Sequence, residues 1–146
     1  MDEKYMRLAL QQAKIAYKNE DIPVGAVLVC DDKIVAKAYN KKNLLKNPLA
    51  HAEIIVINKA CKKLGDFRLE NCVLYITKEP CLMCYGAIMS ARIPKVVYGA
   101  SDLKYGCVEK GKEFAFNHNC EWCSGVLKEE CGEILTQFFK ELRKKK

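Results

Sequence analysis

The segments His51-Ala52-Glu53 and Pro80-Cys81-Leu82-Met83-Cys84 determine how this chain is interpreted, because together they supply one imidazole, two thiols and one carboxylate. Structural zinc is usually bound by four protein ligands, whereas catalytic zinc has three and keeps a fourth position open for water. The sequence therefore predicts one catalytic zinc ion per chain, bound by His51, Cys81 and Cys84. Glu53 is predicted to be the catalytic residue that moves protons beside it.

Both segments are predicted to lie at the start of a helix. Residues three apart share one helix face, so the two thiols can reach one ion, and the partial positive charge at a helix N-terminus favours the thiolates that a metal requires. Zinc can lower the pKa of a bound water to about 7. Glu53 would then carry a proton from water to a ring nitrogen of the substrate and afterwards protonate the departing amine. This chemistry hydrolyses an amine on a nucleobase-like ring.

Hydrophobic periodicity and turn residues predict an α/β fold in one domain over residues 1–146, with a basic C-terminal helix and tail. Two strand–helix alternations in series indicate a partly parallel sheet. We expect a three-layer α/β/α sandwich with a mixed sheet of about five strands. Helices are predicted over 5–19, 50–64, 80–89 and 127–143, strands over 24–30, 34–39, 72–77, 95–99 and 119–122, a hairpin turn at 31–33, and loops over 40–48 and 101–117, with Gly65 ending the second helix.

Composition indicates a cytoplasmic enzyme with no membrane partner. No apolar run approaches the roughly 20 residues that span a bilayer, and the N-terminus lacks a secretion signal. Nine cysteines are present, and their odd number in a chain with an ordinary hydrophobic content favours reduced thiols. Four cysteines in apolar patterns are predicted to be small core residues: Cys30, Cys61, Cys72 and Cys131.

The net charge of +7 favours an anionic partner, although solubility explains such an excess equally well. Basic residues gather at 41–46, just before the first zinc segment, and at 140–146. A second group, His118, Cys120 and Cys123, could bind another metal together with Cys107. Simple alternation along a strand accounts for that group as well.

Further segments carry a resemblance to the zinc-dependent nucleobase deaminases and, among them, to the bacterial tRNA adenosine deaminases. The resemblance covers nearly the whole chain except about Cys107 to Phe116. The segments outside the histidine motif that carry it are Asp21-Ile22-Pro23-Val24-Gly25-Ala26-Val27, Ala38-Tyr39-Asn40, Thr77-Lys78-Glu79-Pro80-Cys81-Leu82-Met83-Cys84, Ser90-Ala91-Arg92-Ile93, Gly99-Ala100-Ser101-Asp102-Leu103-Lys104, Asn117-His118, Gly125-Val126-Leu127 and Phe138-Phe139.

That family converts the wobble adenosine of certain tRNAs to inosine, as a homodimer with the cytidine-deaminase-like fold. The resemblance implies that Asn40 hydrogen-bonds the base, since an amide offers both a donor and an acceptor. It also implies that Asp102, Lys104 and Phe138 lie near the tRNA anticodon stem-loop, where RNA is bound through splayed bases and phosphates. For Phe138, a place in the helix core is the other interpretation.

Two alternatives stay open on the sequence alone. Deaminases of a free base or nucleotide, such as guanine, cytosine or deoxycytidylate, use the same metal chemistry, so His51-Ala52-Glu53 does not separate them from an RNA-editing enzyme. An RNA-binding module with structural zinc would need a fourth protein ligand, and replacing Glu53 would not separate turnover from zinc binding in such a protein.

Overall fold

The computed structural model describes residues 2–114, 116 and 118–145. Asn117, which contributes to the resemblance, and Lys146, the last residue of the basic tail, lie outside the described residues. The helices are α1 (Asp2–Lys18), α2 (Lys42–Leu45), α3 (Ala52–Leu64), α4 (Leu82–Ser90), α5 (Val108–Gly111) and α6 (Lys128–Lys144), and the strands are β1 (Gly25–Cys30), β2 (Lys33–Tyr39), β3 (Cys72–Lys78), β4 (Lys95–Ala100) and β5 (Glu121–Ser124).

The five strands form one mixed sheet in the order β2-β1-β3-β4-β5. Strand β1 pairs antiparallel with both β2 and β3, while β4 runs parallel to β3 and β5. Asp31 and Asp32 join β1 to β2 with φ angles of 52° and 63°, which is the positive-φ pair that a two-residue hairpin turn requires. The predicted hairpin and the predicted parallel portion are both confirmed.

Helices cover both faces of the sheet. Val27 and Val29 of β1 pack with Tyr5 and Met6 of α1 on one face, where α6 also lies. Ala26 and Leu28 pack with residues of α3 and α4 on the other face. Strand β1 is buried along its whole length because both of its faces are covered. The three-layer α/β/α sandwich predicted from the sequence is confirmed.

Two short helices correct the loop predictions. Helix α2 lies inside the predicted loop 40–48, and α5 lies inside the predicted loop 101–117. The Asp21 carboxylate accepts hydrogen bonds from the backbone N–H of Asn43 at 2.7 Å and of Leu44 at 3.0 Å, and the Glu79 carboxylate accepts one from Val108 at 3.2 Å. These acceptors lie far away in the chain, so local periodicity could not reveal the helices.

Several predicted boundaries move by one or two residues, as helix and strand ends commonly do. Helix α4 begins at Leu82 rather than at Pro80, with Cys81 as the residue before its first turn. Strand β5 begins at Glu121 rather than at 119. Gly65 ends α3 as predicted, in the left-handed conformation at φ 68° that glycine adopts without steric cost.

Cys30 and Cys72 are joined by a disulfide, which corrects the prediction that all the cysteines are reduced. Both are buried, as predicted for core residues. They face each other across the antiparallel β1–β3 pair, with a Cα–Cα distance of 4.2 Å. Register between two distant strands is not readable from cysteine number or spacing. Across the described residues, the structure contains no helix with the length and apolar character of a membrane span.

Candidate active site

His51, Cys81 and Cys84 come together at one end of the sheet. Their ligand atoms all lie within 4.8 Å of one another. Nδ1 of His51 is 3.7 Å from Sγ of Cys81 and 3.5 Å from Sγ of Cys84. The structure thus unites the three residues that the two sequence segments supplied, in a group that can bind a metal ion.

Two helix starts create this cluster. His51 immediately precedes α3, and Cys81 immediately precedes α4. The backbone is extended at both residues. The carbonyl of His51 accepts a hydrogen bond from the N–H of Ile55 at 3.0 Å, and that of Cys81 accepts one from Tyr85 at 2.8 Å, so each begins the hydrogen bonding of its helix. Neither side chain caps its own helix, so imidazole and thiol both point to the shared site. Cys84 follows one turn later in α4, as the spacing of two intervening residues predicted.

The electrostatics of the cluster favour an ionised thiol. The Cys84 thiol donates a hydrogen bond to Cys81, which lowers the pKa of Cys81 to about 3 and raises the pKa of Cys84 well above its ordinary value. The hydrogen bond with Cys81 likewise raises the pKa of His51. Burial raises the pKa of Glu53, whose side chain is enclosed in the first turn of α3. A carboxyl group with a raised pKa is suited to exchanging protons near neutral pH.

The donor set fits zinc. Sulfur at about 2.3 Å and nitrogen at about 2.1 Å from zinc, held at a tetrahedral angle, lie about 3.6 Å apart. The two nitrogen–sulfur distances of 3.7 and 3.5 Å bracket that separation. Among the residues that the structure describes, no further histidine, cysteine or carboxylate joins the group as a fourth ligand. Three protein donors match the ligand count of catalytic rather than structural zinc.

A cavity of about 380 Å³ opens onto the cluster. Its volume lies within the range of small-molecule sites. A larger groove of about 850 Å³ between α1 and α6 contains none of the residues predicted for the site. The cavity is lined by Ile22, Val24, Asn40, Lys42, His51, Ala52, Glu53, Lys78, Glu79, Cys81 and Tyr105.

Asn40 is buried in the wall of this cavity. Its Nδ2 donates to the carbonyl of Ile22 at 3.2 Å, and its Oδ1 accepts from the backbone N–H of Lys42 at 3.3 Å. An amide has two N–H donors and two acceptor lone pairs. One donor and one lone pair therefore remain, on a side chain whose orientation the backbone already fixes.

Comparison with known proteins identifies the family. The model of the MafB19-like deaminase family matches residues 1–143. The tRNA-specific adenosine deaminase of Bacillus subtilis (strain 168) is 50% identical over 149 residues, covering 99% of this chain and 92% of the relative. The chain belongs to the tRNA-specific adenosine deaminase family.

Solved structures of related proteins agree with this family fold. A structure from a study of A-to-I editing by tRNA:A34 deaminases at the wobble position of transfer RNA has a TM-score of 0.87 and 42% identity, covering 90% of this chain and 99% of that chain. A guanine deaminase from Bacillus subtilis has a TM-score of 0.66 and 32% identity, covering 92% of each chain. This family member therefore has the predicted cytidine-deaminase-like architecture.

Asp102 and Lys104, two further predicted site residues, lie in the loop that follows β4. Oδ1 of Asp102 accepts hydrogen bonds from the backbone N–H of Lys104 at 3.1 Å and of Tyr105 at 3.0 Å. Its Oδ2 lies 2.9 Å from Nζ of Lys78, which lines the cavity. Lys104 is exposed. The structure thus gives Asp102 an internal role in shaping the loop, and contact of either residue with RNA stays a prediction.

Phe138 does not line the cavity. It is buried on α6, with its ring centroid 5.7 Å from that of Tyr17 and 5.5 Å from that of Phe139. Phe138 thus packs in the core beside its helix, which was the other interpretation of this residue from the sequence. Its contact with RNA remains a prediction that the packing does not test.

The second possible metal group does not assemble among the described residues. His118 is hydrogen-bonded through Nε2 to the carbonyl of Ile93 at 2.6 Å. Cys120 immediately precedes strand β5 and Cys123 lies within it, while Cys107 immediately precedes α5. Within the described part of the chain, the single metal-competent group is the one that contains His51.

Four polar residues of the cavity wall are not among the site residues that the sequence predicted: Lys42, Lys78, Glu79 and Tyr105. Lys42 belongs to the basic group at 41–46, whose charge alone does not indicate a cavity. Lys78 and Glu79 directly precede Pro80-Cys81, so their proximity to the second zinc segment was a usable signal. Tyr105 carried no such signal, because the loop after β4 reaches the cavity only through tertiary contacts.

Proposed function

We propose that this protein hydrolyses the wobble adenosine of a tRNA anticodon stem-loop to inosine, releasing ammonia. The observation that carries the proposal is the cavity in which Asn40 faces the same space as His51, Cys81 and Glu53. A group that can hold a base and a group that can hydrolyse its exocyclic amine thus share one site. The 50% identity to a tRNA-specific adenosine deaminase supports the choice of substrate.

His51, Cys81 and Cys84 would hold one zinc ion per chain. Zinc, when bound, supplies the activation of a water molecule as a nucleophile. Glu53 would accept a proton from water and donate it to N1 of the adenine. The water oxygen forms a bond to C6, the C6–N6 bond breaks, and Glu53 returns a proton to the leaving nitrogen. The sum is adenosine and water giving inosine and ammonia.

Asn40 would orient the base through its remaining donor and acceptor. Its two backbone hydrogen bonds, to Ile22 and Lys42, hold the amide in place before substrate arrives. Such preorganisation reduces the ordering cost of binding. A neutral amide also leaves the proton transfers to Glu53.

The basic surface, formed by Lys41, Lys42 and Lys46, would bind the RNA backbone. Lys42 is at the cavity mouth, and the net charge of +7 favours a polyanion. Asp102, Lys104 and Phe138 are the residues that the family resemblance assigns to the neighbourhood of the stem-loop. We further propose that the protein works in the cytoplasm, where its tRNA substrate is found.

We also propose a homodimer. Large apolar side chains are exposed on α2, on the loop that follows it and at the start of α4, namely Leu45 and Leu49, each 56% exposed, and Leu82, 54% exposed. Leu45 and Leu49 line one surface groove together with Ile54 and Ile55, and an exposed apolar patch of this kind is typical of a protein–protein interface. Sedimentation of the purified protein measures its oligomeric state directly, and a monomer at micromolar concentration would contradict this part of the proposal.

The test of the activity is incubation of the zinc-loaded protein with an anticodon stem-loop that carries adenosine at the wobble position, with inosine read at that site. Guanine, cytosine, deoxycytidylate and free adenosine serve as parallel substrates, and Glu53→Ala serves as the blank. Inosine that disappears in the blank is the expected result. Ammonia from a free base or nucleotide, without inosine in RNA, would assign the chain to the alternative class of deaminases.

A further inference from the structure

Tyr105 presents an aromatic ring at the rim of the cavity. It lines the same space as Asn40 and Glu53, yet 60% of the residue is exposed. It therefore contributes little to the protein core. Exposed aromatic rings beside a nucleic-acid site commonly stack on unpaired bases, since every base has a π-face.

The loop that carries Tyr105 is held in place by the segment that precedes Cys81. Oε1 of Glu79 accepts the backbone N–H of Asp102 at 3.0 Å, and Oε2 accepts that of Val108 at 3.2 Å. Gly106 packs so closely on the Glu79 carboxylate that a Cβ atom there would collide with it. The ion pair of Lys78 with Asp102 adds a third connection. The backbone of the loop that carries Tyr105 is thus held close to the metal-competent cluster.

Lys104 adds a positive charge to this rim. Its Nζ atom lies 5.2 Å from the centroid of the Tyr105 ring, at cation–π distance. An ammonium group beside an aromatic ring matches the alternation of phosphate and base along a single strand. A free base or nucleoside has no neighbouring base to place against the ring.

We propose that Tyr105 stacks on the nucleobase adjacent to the adenosine that is deaminated, and so favours an RNA strand over a free base. This inference rests on the proposed function and deepens it. Glu79 holds the backbone of the loop from which the ring projects. The target base would enter the cavity past Asn40 while its neighbour remains outside, against Tyr105.

The experiment compares wild type, Tyr105→Ala and Tyr105→Phe on the wobble-adenosine stem-loop and on two versions with an abasic nucleotide on the 5′ or 3′ side of the target. Phe67→Ala is the matched control, because Phe67 is 63% exposed and also has a cation, that of Arg68, over its ring at 5.2 Å, yet it does not line the cavity. Zinc content and thermal unfolding verify that each variant is folded.

We expect Tyr105→Ala to raise KM about tenfold on the complete stem-loop with little change in kcat, whereas Tyr105→Phe, which keeps the π-face, stays within about twofold. The penalty should vanish on one of the two abasic RNAs, because the stacking partner is then already absent. Equal behaviour of Tyr105→Ala and Phe67→Ala on the complete RNA would overturn the inference.

A penalty that persists unchanged on both abasic RNAs would also overturn it, since the effect would then be structural. Failure of the proposed function is distinguishable from these outcomes. In that case wild type forms no inosine in the complete stem-loop, and the inference falls with the function on which it rests.

Discussion

Nδ1 of His51 lies 3.5 Å from Sγ of Cys84, although the two residues belong to the starts of different helices. The contact exists because α3 and α4 pack on the same face of the sheet, within one apolar cluster. The metal-binding group is therefore a product of the fold. A substitution in one of these residues should remove the metal without unfolding the sheet.

Metal binding is tested by His51→Ala and Cys84→Ser. Removing one of three donors should lower the zinc content at least about tenfold, given that even loss of an outer hydrogen bond to a ligand costs 10–100-fold in affinity. Elemental analysis of the purified protein measures the content, and Cys61→Ser is the control because Cys61 lies outside the cluster. Full zinc occupancy in Cys84→Ser would contradict the assignment. Chelation should abolish turnover and added zinc should restore it.

Glu53→Gln tests proton transfer separately from metal binding. The substitution keeps the size of the buried side chain and removes its ability to accept and return a proton. We expect kcat to fall by roughly 10²- to 10⁴-fold, while zinc content is unchanged. Glu109→Gln, on an exposed side chain outside the cavity, provides the comparison. Turnover close to that of wild type would show that another group carries the proton.

Asn40→Ala tests recognition of the base. The variant loses one hydrogen bond to the substrate and the two hydrogen bonds that the Asn40 side chain makes to backbone groups. These losses should lower kcat/KM by roughly 5- to 100-fold. Asn43→Ala is a matched control, since Asn43 also hydrogen-bonds a backbone carbonyl, that of Glu20 at 3.2 Å, but does not line the cavity. Equal losses in the two variants would mean that Asn40 acts only on loop structure.

Binding of the stem-loop should weaken steeply with salt, because each phosphate contact releases counterions. Lys42→Ala should reduce the slope of log K against log salt concentration by roughly 1, as expected for one phosphate contact. Lys62→Ala, on an exposed lysine in α3 outside the cavity, should leave the slope unchanged. Fluorescence anisotropy across a salt series measures both. An affinity independent of salt would contradict the role of the basic surface.

The Cys30–Cys72 disulfide should stabilise the fold without contributing to the site. It links residues separated by 42 positions. Closure of such a loop lowers the entropy of the unfolded chain and so raises its free energy by up to about 4 kcal/mol. Reduction should therefore lower the free energy of unfolding in urea while leaving turnover intact at low temperature. Alkylation of the unreduced, unfolded protein should modify seven thiols. Modification of all nine cysteines would show that the bond is absent in solution.

The local parts of the fold were predictable because they depend on neighbours in sequence. The apolar run of β1 and the paired aspartates after it predicted a strand and a hairpin, and Gly65 predicted the end of α3. The three residues His51, Cys81 and Cys84 were also predictable as candidate ligands, because two short segments supply one imidazole and two thiols, a donor set that suits zinc. The loops predicted at 40–48 and 101–117 each contain a short helix that the local sequence did not indicate. These helices are held by hydrogen bonds to Asp21 and Glu79, which lie in distant parts of the chain.

By itself, the sequence determined the α/β class and identified three residues that can bind a metal, with a carboxylate near them in the chain, because periodicity and ligand chemistry act over a few residues. Only the tertiary structure decided that Cys30 faces Cys72, that Phe138 packs against Tyr17, and that Tyr105 reaches the cavity containing Asn40. Each of these contacts joins segments that are distant in the chain. Such contacts depend on how the helices and strands pack, and no local pattern encodes that packing.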